Sequence, residues 1–141
     1  MTSPLTLYFD VNLGRRIPEA LISLKCPFVI KYHLGLLDAE GNLLFPQNTP
    51  DDVWLEYVGQ RGWIVISRDG KFHRTAIERE AIKQYGVGCF YAWGNNAGTW
   101  DQFHSLMRAI DRIADAAQAT PRPFIYRVSR DGALRRVDLS S

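Results

Sequence analysis

Trp63-Ile64-Val65-Ile66-Ser67-Arg68-Asp69-Gly70 passes from an unbroken apolar block into a polar turn. Apolar residues in succession do not alternate, so neither side of this strand suits water. Such a run fits a central parallel strand covered by helices on both faces. The flanking segments agree with that reading. Upstream, Thr49 is placed to cap a helix, Pro50 fits its first helical position, and Asp52 falls where an acid completes a capping box. Trp54, Leu55 and Val58 give that helix an apolar stripe, and Arg61-Gly62 ends it. Downstream, a charged helix is predicted from about His73 to Tyr85, with Ile77, Ala81 and Tyr85 inward and an Arg74/Glu78 pair outward. Gly86 and Gly88 break it before Cys89-Phe90-Tyr91-Ala92, a further strand.

The same grammar extends to both ends. Leu5, Leu7 and Phe9 alternate with Thr6 and Tyr8 in a short first strand that ends at Asp10. Asn12 and Gly14 suit a turn, and a helix follows with Ile17, Leu21 and Leu24 on one face. Pro27 stops it before the strand Phe28-Val29-Ile30-Lys31-Tyr32. Residues 33–48 lack a period and read as a long loop with a short hairpin near Asp38 to Gly41. After a loop at Gly94 to Gly98, Thr99 and Gln102 are spaced as a capping box for a long helix carrying Phe103, Leu106, Met107, Ile110, Ile113 and Ala117. Two strand-like runs beyond Pro121 and Pro123 flank Asp131-Gly132, a strong hairpin signal. The expectation is an α/β fold in one domain over 1–141. Its core, about 5–118, is a βαβαβαβα layout with a mostly parallel sheet, followed by a hairpin over about 122–139.

Composition narrows the function classes. The chain has 141 residues, 46% of them apolar, enough for a single buried core. Its net charge of +2 is too small to imply nucleic acid by itself. No stretch approaches a membrane span, and Met1-Thr2-Ser3-Pro4 has no signal-like core, so a cytoplasmic protein without a membrane partner is expected. Cys26 and Cys89 lie far apart and read as two buried thiols in a reducing cytoplasm.

The chemistry lies in where the acids fall. In open α/β sheets ligands bind outside the carboxyl ends of the strands. Asp10 ends the first strand, Asp69 lies just past the central one, and Asp51 and Asp52 open the helix between them. Crowded carboxylates raise one another's pKa unless a cation sits among them, and Mg²⁺ or Mn²⁺ prefers such oxygen ligands. A site of this kind suits phosphoryl chemistry. Each acid also has a plainer role: Asp10 as a helix or turn cap, Asp51 and Asp52 as dipole partners, Asp69-Gly70 as turn chemistry. Arg68 and Lys71 flank Asp69 as phosphate contacts or as a solvated pair. Glu78 reads as an exposed residue that can lean toward the pocket. His33, His73 and His104 lack zinc-site spacing and are expected at the surface or half-buried. Arg122, Arg127, Arg130, Arg135 and Arg136 make the last hairpin basic, as a nucleic-acid track or, slightly better, a charged sheet edge.

Three segments together resemble a known family. Leu7-Tyr8-Phe9-Asp10-Val11-Asn12-Leu13, Asp51-Asp52-Val53-Trp54-Leu55-Glu56-Tyr57-Val58 and Ile64-Val65-Ile66-Ser67-Arg68-Asp69-Gly70-Lys71-Phe72 resemble, in order and spacing, the acidic motifs of PIN-like domains over about residues 5–93. The C-terminal helix and hairpin are similar to the subgroup that includes VapC-type toxins. The resemblance implies a three-layer α/β/α nuclease fold, a Mg²⁺ or Mn²⁺ site and RNA as substrate. It implies Asp10, Asp69 and Asp51 as metal ligands and Asp10, Asp51, Asp52 and Asp69 as the catalytic acids. Asn12, Arg68 and Lys71 are the substrate contacts, and an antitoxin protein and a homodimer are the protein partners it suggests. Lys71 stands where full family nucleases carry a further acid, which points to one metal rather than two. A haloacid-dehalogenase-type phosphatase would want an Asp at Asn12. A non-catalytic PIN-like module binding RNA or protein is the alternative that Lys71 favours.

Overall fold

The computed structural model describes residues 4–46, 48–68, 76–94 and 96–139, with only the backbone at Asn12 and Ala76. Its strands are β1 (Thr6–Phe9), β2 (Val29–Tyr32), β3 (Ile64–Arg68), β4 (Gly88–Ala92), β5 (Phe124–Val128) and β6 (Leu134–Val137). They form one sheet in the order β2-β1-β3-β4-β5-β6. All neighbouring pairs are parallel except β5 with β6, which is antiparallel. The expected hairpin is therefore present, but its first strand is also the fifth parallel strand of the sheet. The apolar run at Ile64–Ile66 lies at its centre and is fully buried, as a strand covered on both faces must be.

The helices are α1 (Arg16–Ser23), α2 (Asp51–Arg61), α3 (Ala76–Tyr85) and α4 (Thr99–Ala119). Side chains alternate across a strand, so each strand feeds both layers. Leu7, Phe9, Ile64, Ile66, Phe90 and Phe124 pack under α1 and α4, with Ile17, Leu21, Leu106 and Ile113. Tyr8, Val65, Cys89 and Ile125 pack under α2 and α3, with Trp54, Leu55, Val58 and Ile82. The result is an α/β/α sandwich, as expected. One feature is not implied by the pattern. The β1–β2 and β4–β5 connections run in opposite directions across the sheet, yet α1 and α4 lie on the same face. The α4 crossover thus has the opposite hand from the others, a rare arrangement. An eight-residue α1, about 12 Å long, cannot cover that face alone, and the 21-residue α4 completes it.

Several local expectations are corrected. Thr49 does not cap α2: Pro50 is the N-cap residue, and the Thr49 hydroxyl instead donates to the Pro46 carbonyl at 2.6 Å. Gly98 rather than Thr99 precedes α4, and Gln102 reaches back to donate to the Gly94 carbonyl at 2.6 Å, which closes the loop before the helix. In both places a side chain able to cap stabilises the preceding turn instead. Leu24 is exposed because α1 ends at Ser23 and Lys25 turns the chain with a φ of 56°. Ile77 faces outward into an open groove with Asp52 and Glu80, leaving Ala81 and Ile82 as the buried residues of α3. The loop hairpin is found where expected, with Leu37 bridging Leu43 and Gly41 at a φ of 85°. Among the described residues no helix is long and apolar enough to cross a membrane.

Gly59 is the contact point of α2 and α3. A Cβ there would lie 2.5 Å from the Tyr85 carbonyl oxygen, a backbone atom with no rotamer to yield. Helix propensity alone favours alanine by about 1 kcal/mol. The clash should outweigh it, because overpacking typically costs about 1–3 kcal/mol. Gly59→Ala is expected to lower the urea midpoint of unfolding; a midpoint equal to or above wild type would contradict this packing.

Candidate active site

The order β2-β1-β3-β4 places a switch point between β1 and β3, because the chain leaves β1 toward β2 on one side and leaves β3 toward β4 on the other. Crevices at such points open beyond the carboxyl ends of the strands. Phe9 is in register with Ile66, and the Asp10 N–H donates to the Ile66 carbonyl at 3.0 Å. Asp10 and Ser67 are consequently the next residues on adjacent strands. Alternation continues Tyr8 into Asp10 and Val65 into Ser67, so both side chains face the α2/α3 layer. There the Ser67 hydroxyl donates to Asp10 Oδ2 at 2.9 Å, and the Val11 N–H donates to Oδ1 at 2.6 Å. The second bond caps the 3₁₀ turn Val11–Leu13, so the plain capping role and the site role coexist in one carboxylate.

Asp10 is only 5% exposed. Burial pushes its carboxyl above the ordinary range; the Ser67 and Val11 bonds pull it down, and the charge of Asp51 pushes it up again. A hydrogen bond to a charged group contributes about 1.5–3 kcal/mol, while removing an ion from water costs several. The net upward direction means that burial wins here. Ionisation of Asp10 is therefore less favourable in the fold than in water.

Asp51 reaches this rim for a topological reason. A helix joining two parallel strands runs antiparallel to both, so α2 begins at the carboxyl edge of the sheet. The Trp54 indole N–H donates to Asp51 Oδ1 at 2.9 Å, and the Trp54 ring lies 5.7 Å from that of Tyr8. The apolar stripe of α2 thereby orients its first acid. Asp52 is turned toward α3, lining a groove with Ile77, Glu80 and Tyr85. The charge of Asp51, and not that of Asp52, is felt at Asp10.

The remaining candidates are scattered. Asp69 and Lys71 lie outside the described residues, as do His73 and Arg74. Asn12 is the middle residue of the 3₁₀ turn. Arg68 ends β3 and lines a cleft with Val11, Arg15 and Arg16 on the α1 side of the rim. Glu78 is half-buried in the first turn of α3 rather than exposed. His33 is more buried than expected: it follows β2, is 8% exposed, and burial pushes its pKa down. Arg135 and Arg136 are exposed on the edge strand β6, consistent with the edge reading. The sequence reading did not single out Ser67 or Trp54. Two signals could have found them: Ser67 shares a face with Val65 at the end of the apolar run, and Trp54 follows Asp51 at the helical i,i+3 spacing.

Oxygen donors of this kind fit a hard divalent cation. A buried carboxylate with raised pKa beside a second one is an environment that such a cation stabilises. Among the described residues no group of three His, Cys, Asp or Glu side chains that could hold a metal ion assembles. A family model described as a PIN-like domain matches residues 5–93, from the start of β1 to just past β4, which is well over half the chain. Neither the curated proteins nor the solved structures contain a significant match.

The raised pKa of Asp10 fixes a sign. The folded state binds the Asp10 proton more tightly than the unfolded state, so this residue's contribution to stability is present below its ordinary pKa of 3.8 and is lost as pH rises through the folded value. In chelator at pH 7, Asp10→Asn is expected to unfold at a higher temperature than wild type, with the gap closing toward pH 4. Mg²⁺ or Mn²⁺ should raise the wild-type midpoint and leave that of the variant unchanged. A variant less stable at pH 7, with no pH trend, would contradict the burial argument.

Proposed function

This chain belongs to the PIN-like domain family, and from that premise we propose that it is a metal-dependent endoribonuclease that hydrolyses RNA phosphodiesters. The observation that carries the reading is the Asp10–Ser67 pair, buried at the β1/β3 switch with the charge of Asp51 beside it. Asp10 and Asp51 would hold Mg²⁺ or Mn²⁺, with Asp69 as a third ligand by sequence order. When bound, such an ion supplies charge against the phosphate and lowers the pKa of a water molecule. The chain's own contribution is orientation. Ser67 and the Val11 N–H fix the Asp10 carboxylate, and the Trp54 indole fixes Asp51. Support of this kind is worth about 10–100-fold in metal affinity or activity. Arg68, Lys71 and Asn12 are the proposed substrate contacts.

We further propose that the protein is the toxin half of a toxin–antitoxin pair, on the likeness of its C-terminal helix and hairpin to VapC-type relatives. Its partners would be an antitoxin protein and a second copy of the chain, in the cytoplasm. The second reading, a non-catalytic RNA- or protein-binding module, is motivated by Lys71 at the place of a family acid.

Cleavage of an end-labelled RNA with Mg²⁺ or Mn²⁺ separates these readings. Asp10→Asn and Asp51→Asn are expected to lose about 100-fold or more of the rate, since each removes charge stabilisation of several kcal/mol. Trp54→Phe should lose about 10–100-fold, and Asp52→Asn should remain within a few-fold of wild type. Metal-dependent cleavage that survives Asp10→Asn would sink the assignment. RNA binding with neither cleavage nor heat on metal titration would favour the second reading. Growth arrest on expression, relieved by Asp10→Asn, is the result expected of a toxin.

A further inference from the structure

Beside the acidic rim, on the opposite face of the sheet, the N-terminal ends of α1 and α4 border a groove in two adjoining parts. The inner part, ≈ 390 Å³, is lined by Val11, Gly14, Arg15, Arg16 and Arg68. The outer part, ≈ 320 Å³, is lined almost wholly by apolar surface from Ala20, Leu24, Trp100 and Phe103. Arg16 and Thr99 belong to both, so the two are continuous. Among the described residues lining it there are three arginines and no acid. Its inner end is tied to the candidate site through Val11, whose N–H holds Asp10 Oδ1.

We propose that this groove binds single-stranded RNA, with phosphates on Arg15 and Arg16 and one base stacked on Trp100, and so leads the strand toward Asp10. The inference rests on the nuclease reading for its direction, but binding in the groove stands apart from cleavage. Three properties support it. Trp100 is 73% exposed, and its ring lies nearly parallel to that of His104, at 8° and 6.3 Å between centroids, so the indole presents a flat, open face. Leu24, 70% exposed, extends the apolar floor. Bare aromatic surface in line with a basic channel is what an unpaired strand uses, since its bases are free to stack and every base has a π-face. The competing acid is weak: Glu19 lies 3.9 Å from Arg15, and both side chains are exposed, so a polyanion can displace it. The amino ends of two helices add favourable potential for phosphate.

The test is binding of a fluorescein-labelled RNA of about 12 nucleotides in chelator at low salt. Arg15, Arg16 and Trp100 are all exposed, so their variants should keep the fold. Arg15→Ala with Arg16→Ala is expected to weaken binding and to flatten the slope of log K against log salt by about 1.4, about 0.7 for each lost phosphate contact. Trp100→Ala should weaken binding about 5- to 150-fold with the slope unchanged, and Trp100→Phe should recover part of that loss. A duplex of the same sequence should compete poorly and ignore Trp100. Wild-type affinity in these variants, equal competition by duplex, or no binding at low salt would overturn the proposal. So would a dimer that covers the groove and dissociates on Trp100→Ala. Cleavage that needs Asp10 but ignores Arg16 and Trp100 removes the groove and leaves the nuclease reading. Groove binding without cleavage does the reverse.

Discussion

The hydrogen bond from Ser67 to Asp10 joins two parallel strands at the point where the winding of the chain across the sheet reverses, and the rest of the site is arranged about it. It requires β1 and β3 to be adjacent, parallel and in the register that pairs Phe9 with Ile66. A slip of one residue would turn Ser67 to the α1/α4 layer and leave Asp10 buried without that donor. The apolar run of β3 prevents the slip. Ile64 and Ile66 fill one layer and Val65 the other, each completely buried, so a slip would exchange their volumes between two closely packed layers.

The same constraint explains why the site costs stability and why α2 matters. Among the described residues, the Ser67 and Val11 donors do not offset the burial of the Asp10 charge, and Asp51 adds to the cost. A fold selected only for stability would place Asn or Ser at position 10. The cost persists because α2 is locked in place by strong apolar packing: Trp54 against Tyr8, Leu55 and Val58 fully buried, and Gly59 against the end of α3. Local strain in charge is carried by a rigid surround, a pattern that recurs where a ligand supplies the missing term.

Much of this was legible from residue order. The continuous run at 63–66, the alternation of Leu7 and Phe9 and the Asp131-Gly132 turn specify strands whose identity depends on burial period and turn chemistry alone. The position of Asp10 at a strand end follows directly. Capping was less legible, because Thr49 and Gln102 have two local bonds of similar worth and tertiary packing selects the one that closes the preceding loop. Leu24 and Ile77 fit a helical period but fall at helix ends, where the period no longer fixes the direction of a side chain. The hand of the α4 crossover depends on the area that short α1 leaves uncovered, which is a property of the assembled sheet. Asp51 and Asp52 were inseparable by spacing, and they are distinguished only in the fold, where Asp51 accepts from Trp54 with its charge acting on Asp10 and Asp52 lines a groove with α3.

Under the metal-dependent function proposed above, a divalent cation would make ionisation of the buried Asp10 carboxylate favourable. The most direct test is an NMR titration of the Asp10 carboxyl carbon, first in chelator and then with saturating Mg²⁺. A midpoint above the ordinary carboxylate range is expected in chelator, with a fall below that range when Mg²⁺ is present. An ordinary midpoint that Mg²⁺ does not move would contradict it.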